Sequence, residues 1–215
     1  MKKIDDEIFN INSESEFNNL CMKAFDFQMK NNKIYKEYSN IILKGNEPNS
    51  INKIPFLPIE FFKTEQIICK GQKIEEIFLS SGTIGEQSKH LISDIKIYKK
   101  SFRKSFRQFY GDISEYCILS LLPNYREREG SSLIFMIDDL IKNSQNPKSS
   151  FYLNNYKSLS QTLKELENEG QKSILFGVSN ALLDLAGLFP QELKHTIIME
   201  TGGTKGNRKE IMKEE

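Results

Sequence analysis

The chain has no tryptophan and only three cysteines among its 215 residues. Cys21, Cys69 and Cys117 are too few and too widely spaced for a disulfide framework or a zinc pattern. Stapled secreted domains and zinc modules are thereby excluded, and a reducing cytoplasm is the expected location. Long apolar runs are also missing. Nothing approaches the roughly 18 consecutive apolar residues that mark a membrane span. The start, Met1-Lys2-Lys3-Ile4-Asp5-Asp6-Glu7, lacks the apolar stretch of a secretory leader. Net charge is nearly absent, with 30 basic against 29 acidic residues. No overall field therefore draws the chain to nucleic acid or to a membrane surface. Two familiar nucleotide fingerprints are lacking as well. Gly82 to Lys89 has no Gly-Lys-Ser/Thr ending, Gly202 to Lys209 ends in Arg208-Lys209, and no Rossmann glycine pattern occurs.

What is present is enough apolar material for a sizeable core. Hydrophobic residues make up 38% of the chain, and the mean hydropathy of −0.49 is that of a globular protein. The aromatic bulk is carried by 15 Phe and 8 Tyr. Ser13-Glu14-Ser15-Glu16 reads as a capping box. Phe17, Leu20, Cys21, Ala24 and Phe27 come after it at helical spacing, which makes Cys21 a small core residue. The helix is expected to run on towards Leu43 and to stop at Gly45.

Ile54-Pro55-Phe56-Leu57-Pro58-Ile59-Glu60-Phe61-Phe62 cannot begin as a regular helix, because its prolines favour an extended path. It reads as a hydrophobic strap over the core, with one wall of a substrate pocket as the alternative. From Asp94 a helix is indicated by Ile95, Tyr98, Phe102, Phe106 and Phe109. Lys96, Lys99, Lys100, Arg103, Lys104 and Arg107 lie between them. These cations read as a solvated face, and docking of an acidic partner or a phosphorylated carrier arm is the alternative. Asp138-Asp139, at the end of the apolar run from Leu133 to Ile141, read as exposed acids before they read as metal ligands.

Buried strands are expected at Glu75 to Ser81 and Glu115 to Leu122, and further strands at Ser173 to Val178 and His195 to Glu200, alternating with helices. That order argues for an α/β layered fold with a largely parallel sheet flanked by helices. The first of these strands enters Ser80-Ser81-Gly82-Thr83-Ile84-Gly85, and the last enters Thr201-Gly202-Gly203-Thr204-Lys205-Gly206. Glycines admit backbone N–H groups to a phosphate, and hydroxyls add donors that rotate to suit. A plain Ser/Gly turn is the competing reading. In parallel sheets ligands sit beyond the carboxyl ends of strands, so both loops are expected to face one nucleotide. His90, just past the first loop, reads as a surface residue, with a ligand-facing role as the alternative.

The first loop resembles the Ser-Ser-Gly-Thr-Thr-Gly loop of the adenylate-forming enzymes. Within that superfamily three further segments look like the luminescence-type acyl-protein synthetases: Ile54 to Lys63, Arg126-Glu127-Arg128-Glu129-Gly130-Ser131-Ser132-Leu133, and Met199-Glu200-Thr201-Gly202-Gly203-Thr204-Lys205-Gly206. The resemblance spans the chain from about residue 15. It implies the large-domain fold of that superfamily in incomplete form, with an N-terminal helical segment over 1–50 and an adenylating α/β domain over 51–215.

The activity implied is a two-step ligation. A fatty acid carboxylate attacks the α-phosphate of ATP to give acyl-AMP and pyrophosphate, and the acyl group then moves to a protein thiol. By position, Ser80, Ser81, Gly82, Thr83 and Gly85 would hold the β,γ-phosphates. Gly202 and Gly203, with Lys205 beside them, would lie along the nucleoside. Mg²⁺ would help to stabilise the leaving pyrophosphate, and a reductase or acyl-transferase is the implied protein partner.

The sequence departs from the pattern in two places. Ile84 replaces the second threonine of the loop. The Tyr-Gly-x-Thr-Glu element, whose Glu holds Mg²⁺, does not occur before Glu215, and neither do the lid lysine and the acyl-accepting cysteine. The resemblance therefore implies an N-terminal portion of a longer ligase, with weak or no turnover alone. The alternatives are an acyl- or aryl-CoA ligase of the same superfamily, or a non-catalytic module that binds a partner through the basic helix.

Overall fold

A computed structural model of the chain describes residues 2–80, 87–122 and 130–202. The chain divides into two compact units, Met1–Ser101 and Phe102–Glu215.

The first unit opens with helices α1 (Lys2–Glu7), α2 (Glu14–Asn31) and α3 (Lys33–Leu43). The capping box forms as expected, with the Glu16 N–H donating to Ser13 Oγ at 3.2 Å. The Glu16 carboxylate reaches one residue further than expected and accepts from the Asn12 N–H. The single helix expected to run to Leu43 is in fact two. Asn32 is buried and extended, and it ends α2 and caps α3, its side chain accepting from the Tyr35 N–H at 3.1 Å. An asparagine carbonyl competes with the helical backbone for N–H donors, which is why the break falls there.

The Ile54 to Phe62 segment is extended up to a short helix α4 (Phe61–Thr64). It lies along α3, with the Tyr35 hydroxyl donating to the Pro55 carbonyl at 2.8 Å and Phe61 edge-on to Tyr38. The segment was expected as a hydrophobic strap over the core, yet Phe56 and Ile59 on it are 80% and 64% exposed and only Pro55 is buried.

Strands β1 (Glu76–Leu79) and β2 (Lys89–Ile92) form a two-stranded antiparallel sheet in which Phe78 pairs with His90. The strand ahead of the first glycine loop is therefore half of a hairpin, not a buried member of a parallel sheet. Ile77 is exposed, and only Phe78 is fully covered. Nine residues, 80–88, join the two strands. A parallel crossover needs a dozen or more, so this spacing forces antiparallel pairing. Helix α5 (Ile95–Tyr110) comes next, with the Glu75 and Asp94 carboxylates accepting from the Ile95 and Lys96 N–H groups at its positive end.

The second unit carries the α/β layers. A 3₁₀ turn, Ile113–Glu115, leads into β3 (Cys117–Leu121). After it come α6 (Ser132–Ser144), β4 (Ser150–Phe151), α7 (Tyr156–Glu169), β5 (Ser173–Gly177), α8 (Ser179–Leu188) and β6 (Thr196–Glu200). The strands form one four-stranded sheet in the order β4-β3-β5-β6, parallel throughout. Flanking helices cover it, as the alternation of elements implies. Every residue of β3 and β5 is buried. Cys117, Leu119, Leu121 and Leu175 on one face pack with Leu159, Leu163 and Leu166 of α7 and with Ala181 and Leu185 of α8. Each fully buried leucine contributes about 1.5–3 kcal/mol relative to exposure, so this layer is the main apolar stabiliser of the unit. Phe102 and Phe106 of α5 are buried, whereas Phe109, expected on the same stripe, is 75% exposed.

Candidate functional site

The parallel sheet changes winding direction between β3 and β5. From the carboxyl end of β3 the chain goes through α6 to β4 on one side, and from the carboxyl end of β5 it goes through α8 to β6 on the other. In α/β sheets ligands bind at the carboxyl edge beside such a reversal. The described residues at this edge are Leu121-Leu122, Gly177-Val178-Ser179 and Glu200-Thr201-Gly202.

The ends of β5 and β6 are tied together. A Cβ built at Gly177 would lie 2.6 Å from Leu182 Cδ2, so any larger residue there would have to displace the Leu182 side chain of α8. The Thr201 N–H donates to the Gly177 carbonyl at 2.9 Å, and its hydroxyl donates to the same oxygen at 3.3 Å. Ser179 Oγ donates to the Gly202 carbonyl at 2.6 Å and also meets the Glu200 carboxylate. A serine hydroxyl carries one proton, so the two acceptors share it. Gly202 has φ +82°, a left-handed conformation that side chains rarely adopt, with open space where a Cβ would stand.

The far end of β6 is locked by Glu167 of α7. Its carboxylate accepts from the Lys194 N–H at 2.7 Å, from the His195 N–H at 3.0 Å and from the Thr196 hydroxyl at 2.7 Å. Burial pushes the Glu167 carboxyl up, but the bonds from Thr196, Lys194 and His195 outweigh it and hold it below the ordinary glutamate value.

Of the expected phosphate-loop residues, Ser80 closes the β1–β2 hairpin. Its N–H donates to the Ser88 carbonyl at 3.0 Å, and its Oγ accepts from the Ser88 N–H at 3.0 Å. Ser81, Gly82, Thr83 and Gly85 lie outside the described residues, as do Gly203 and Lys205. His90 is exposed on β2 and stacks on Phe62 at 4.7 Å between ring centroids, in keeping with a surface residue.

Two side-chain groups are not evident from the sequence. Ser179 comes directly after the end of β5, and the Gly-Val-Ser step after an apolar run was the available signal. The other is Asp139, expected to be exposed. It is 7% exposed and takes a bidentate pair from Arg103, both bonds at 2.7 Å, with the Asn143 amide 3.1 Å away. Arg103 stands 36 positions earlier, so nothing local marks the pair. Asp138 pairs with Lys142 on the surface. Beside this pair, whose Arg103 end is exposed, lies a cavity of about 170 Å³ whose lining includes Arg103, Phe106, Arg107, Asp112, Leu140 and Asn143.

Among the described residues no group of three His, Cys, Asp or Glu side chains gathers to hold a metal ion. Among the same residues no helix is long and apolar enough to cross a membrane.

The fold and this edge define an α/β unit with a doubly wound parallel sheet. No family model, no curated protein and no solved structure matches the chain.

Proposed function

We propose that the chain is the adenylating portion of a fatty-acid–protein ligase. A long-chain fatty acid carboxylate attacks the α-phosphate of ATP, breaking the bond to the β-phosphate oxygen. Acyl adenylate and pyrophosphate result, and the acyl carbon then passes to a protein thiol with release of AMP. The nucleoside is assigned to Gly202, Gly203 and Lys205, and the phosphates to Ser80, Ser81, Gly82, Thr83 and Gly85.

The observation that carries it is the carboxyl edge of the parallel sheet. Two of the segments that resemble the acyl-protein synthetases, Arg126 to Leu133 and Met199 to Gly206, follow β3 and the middle of β6 in sequence, and the described residues nearest that edge are Leu122 and Glu200 to Gly202. Their strands stand two spacings apart, about 10 Å, within the span of one nucleotide. The open left-handed Gly202 suits close approach of an adenosine. The acyl acceptor is neither Cys69 nor Cys117. Both are buried, and burial pushes each thiol up, away from the reactive thiolate.

Titration of the 215-residue chain with a non-hydrolysable acyl adenylate, an acyl sulfamoyl adenosine, tests the proposal. Saturable binding is expected for at least one acyl length between octanoyl and hexadecanoyl, tighter than for adenosine alone. Absence of binding across that series removes the proposal. Binding that is indifferent to the acyl group leaves a nucleotide-binding module and contradicts the ligase.

A further inference from the structure

Among the described residues, the two edges of the four-stranded sheet differ. β4 is only two residues long, and a very short edge strand offers little for another chain to pair with. β6 is five residues long, Thr196-Ile197-Ile198-Met199-Glu200, with no proline and no inward-pointing lysine. Its unbroken apolar centre is the pattern of an inner parallel strand covered on both faces. Yet Ile198, on the α7 and α8 face, is 53% exposed, and Ile197, on the other, is 39% exposed.

The hydrogen-bond parity of this edge is fixed. The Ser173 N–H donates to the His195 carbonyl, and the Thr201 N–H donates to the Gly177 carbonyl. With the parallel register Ser173↔Thr196 through Gly177↔Glu200, the odd-numbered residues of β6 bond to β5. The N–H and C=O groups of Thr196, Ile198 and Glu200 therefore point away from the sheet.

We infer that β6 pairs antiparallel with β6 of a second copy of this chain, about a two-fold axis through Ile198, continuing the sheet across the dimer. Three matches favour a second copy as the occupant. The residues brought opposite each other, Ile198 to Ile198 and Thr196 to Glu200, all carry outward-pointing groups, so every facing N–H finds a carbonyl. Ile197 falls opposite Met199, which covers the exposed apolar residues on the other face. No like charges stand opposite, and Glu200 of each copy lies diagonal to the exposed Lys194 of the other. A C2 interface requires this kind of self-complementary patch.

Sedimentation of the chain gives the first readout, with a particle of twice 24.9 kDa expected and Ile198→Lys halving it. Because a lysine there can also disturb folding, cysteine pairing provides a second readout. Across an antiparallel hydrogen-bonded pair the Cα atoms lie about 5.5 Å apart, inside the roughly 4.4–6.8 Å that a disulfide spans. Ile198→Cys should give a linked dimer on mild oxidation, and Ile197→Cys, whose side chain faces Met199, should give none above the parent chain. A monomer in sedimentation overturns the inference, with or without a linked product. A dimer that Ile198→Cys fails to link overturns it as well, since the contact then lies elsewhere.

Discussion

The strand before Ser80 and the strand before Gly202 end in similar short sequences, yet they are opposite kinds of strand. β1 is half of an antiparallel hairpin, with only Phe78 buried and Ile77 exposed, and its turn is closed by two bonds between Ser80 and Ser88. β6 lies in a parallel sheet, and its turn is held to β5 and α8 through Gly177 and Ser179. An apolar run leading into Gly, Ser and Thr therefore specifies a turn, whereas the length of the connection to the neighbouring strand specifies the sheet. After β1 there are only nine residues to the next strand, whereas each parallel strand is separated from the next by a helix.

The comparison predicts unequal sensitivity to substitution. Leu119→Ala, in the fully buried β3, should cost about 2–5 kcal/mol in urea unfolding. Leu79→Ala, in the partly covered β1, should cost well under half of that. Equal losses would mean that the hairpin is buried like the sheet. Next in size is Gly177→Ala, where the added methyl meets Leu182. Overpacking there should cost about 1–3 kcal/mol, and pairing the change with Leu182→Ala should restore part of it.

Glu167 gives a pH-dependent difference between the units. Its carboxyl is held below the ordinary value of 4.5 in the folded chain. Its stabilising effect is thus complete above that pH and is lost as the pH falls through the lower folded value. Urea midpoints of the parent should drop on the acid side more steeply than those of Glu167→Gln, and parallel curves would rule the lock out. Smallest is the contrast between the turns themselves. Ser80→Ala removes the bond that Ser80 Oγ accepts from the Ser88 N–H, and Ser179→Ala removes the bond whose proton is shared between Gly202 and Glu200, each worth about 1 kcal/mol. Only Ser179→Ala should speed hydrogen exchange at Thr201 and Gly202.

Much of the second unit was legible in the sequence. The apolar runs at Cys117, Ser173 and Thr196 alternate with helical patterns, and that alternation alone gives a parallel α/β sheet. The capping box at Ser13 was legible because its signal is local. What escaped depends on distant partners or on competition. Asp139 looks like a surface acid until Arg103 is brought beside it. Asn32 breaks a helix whose apolar spacing continues through it. Ser179 gains its role only when β6 is laid next to β5. The glycine turn after a strand was legible at Gly202, whereas nothing local marked Ser179 as the residue that ties that turn to α8.

Hydrogen exchange of the 215-residue chain, measured with and without saturating acyl sulfamoyl adenosine, bears most directly on the carboxyl edge as a nucleotide site. A nucleotide seated there slows exchange at the amides of 177–180 and 200–202 and leaves those of α2 and α3 unchanged. Unaltered exchange at 177–180 and 200–202 while the ligand is bound would contradict it.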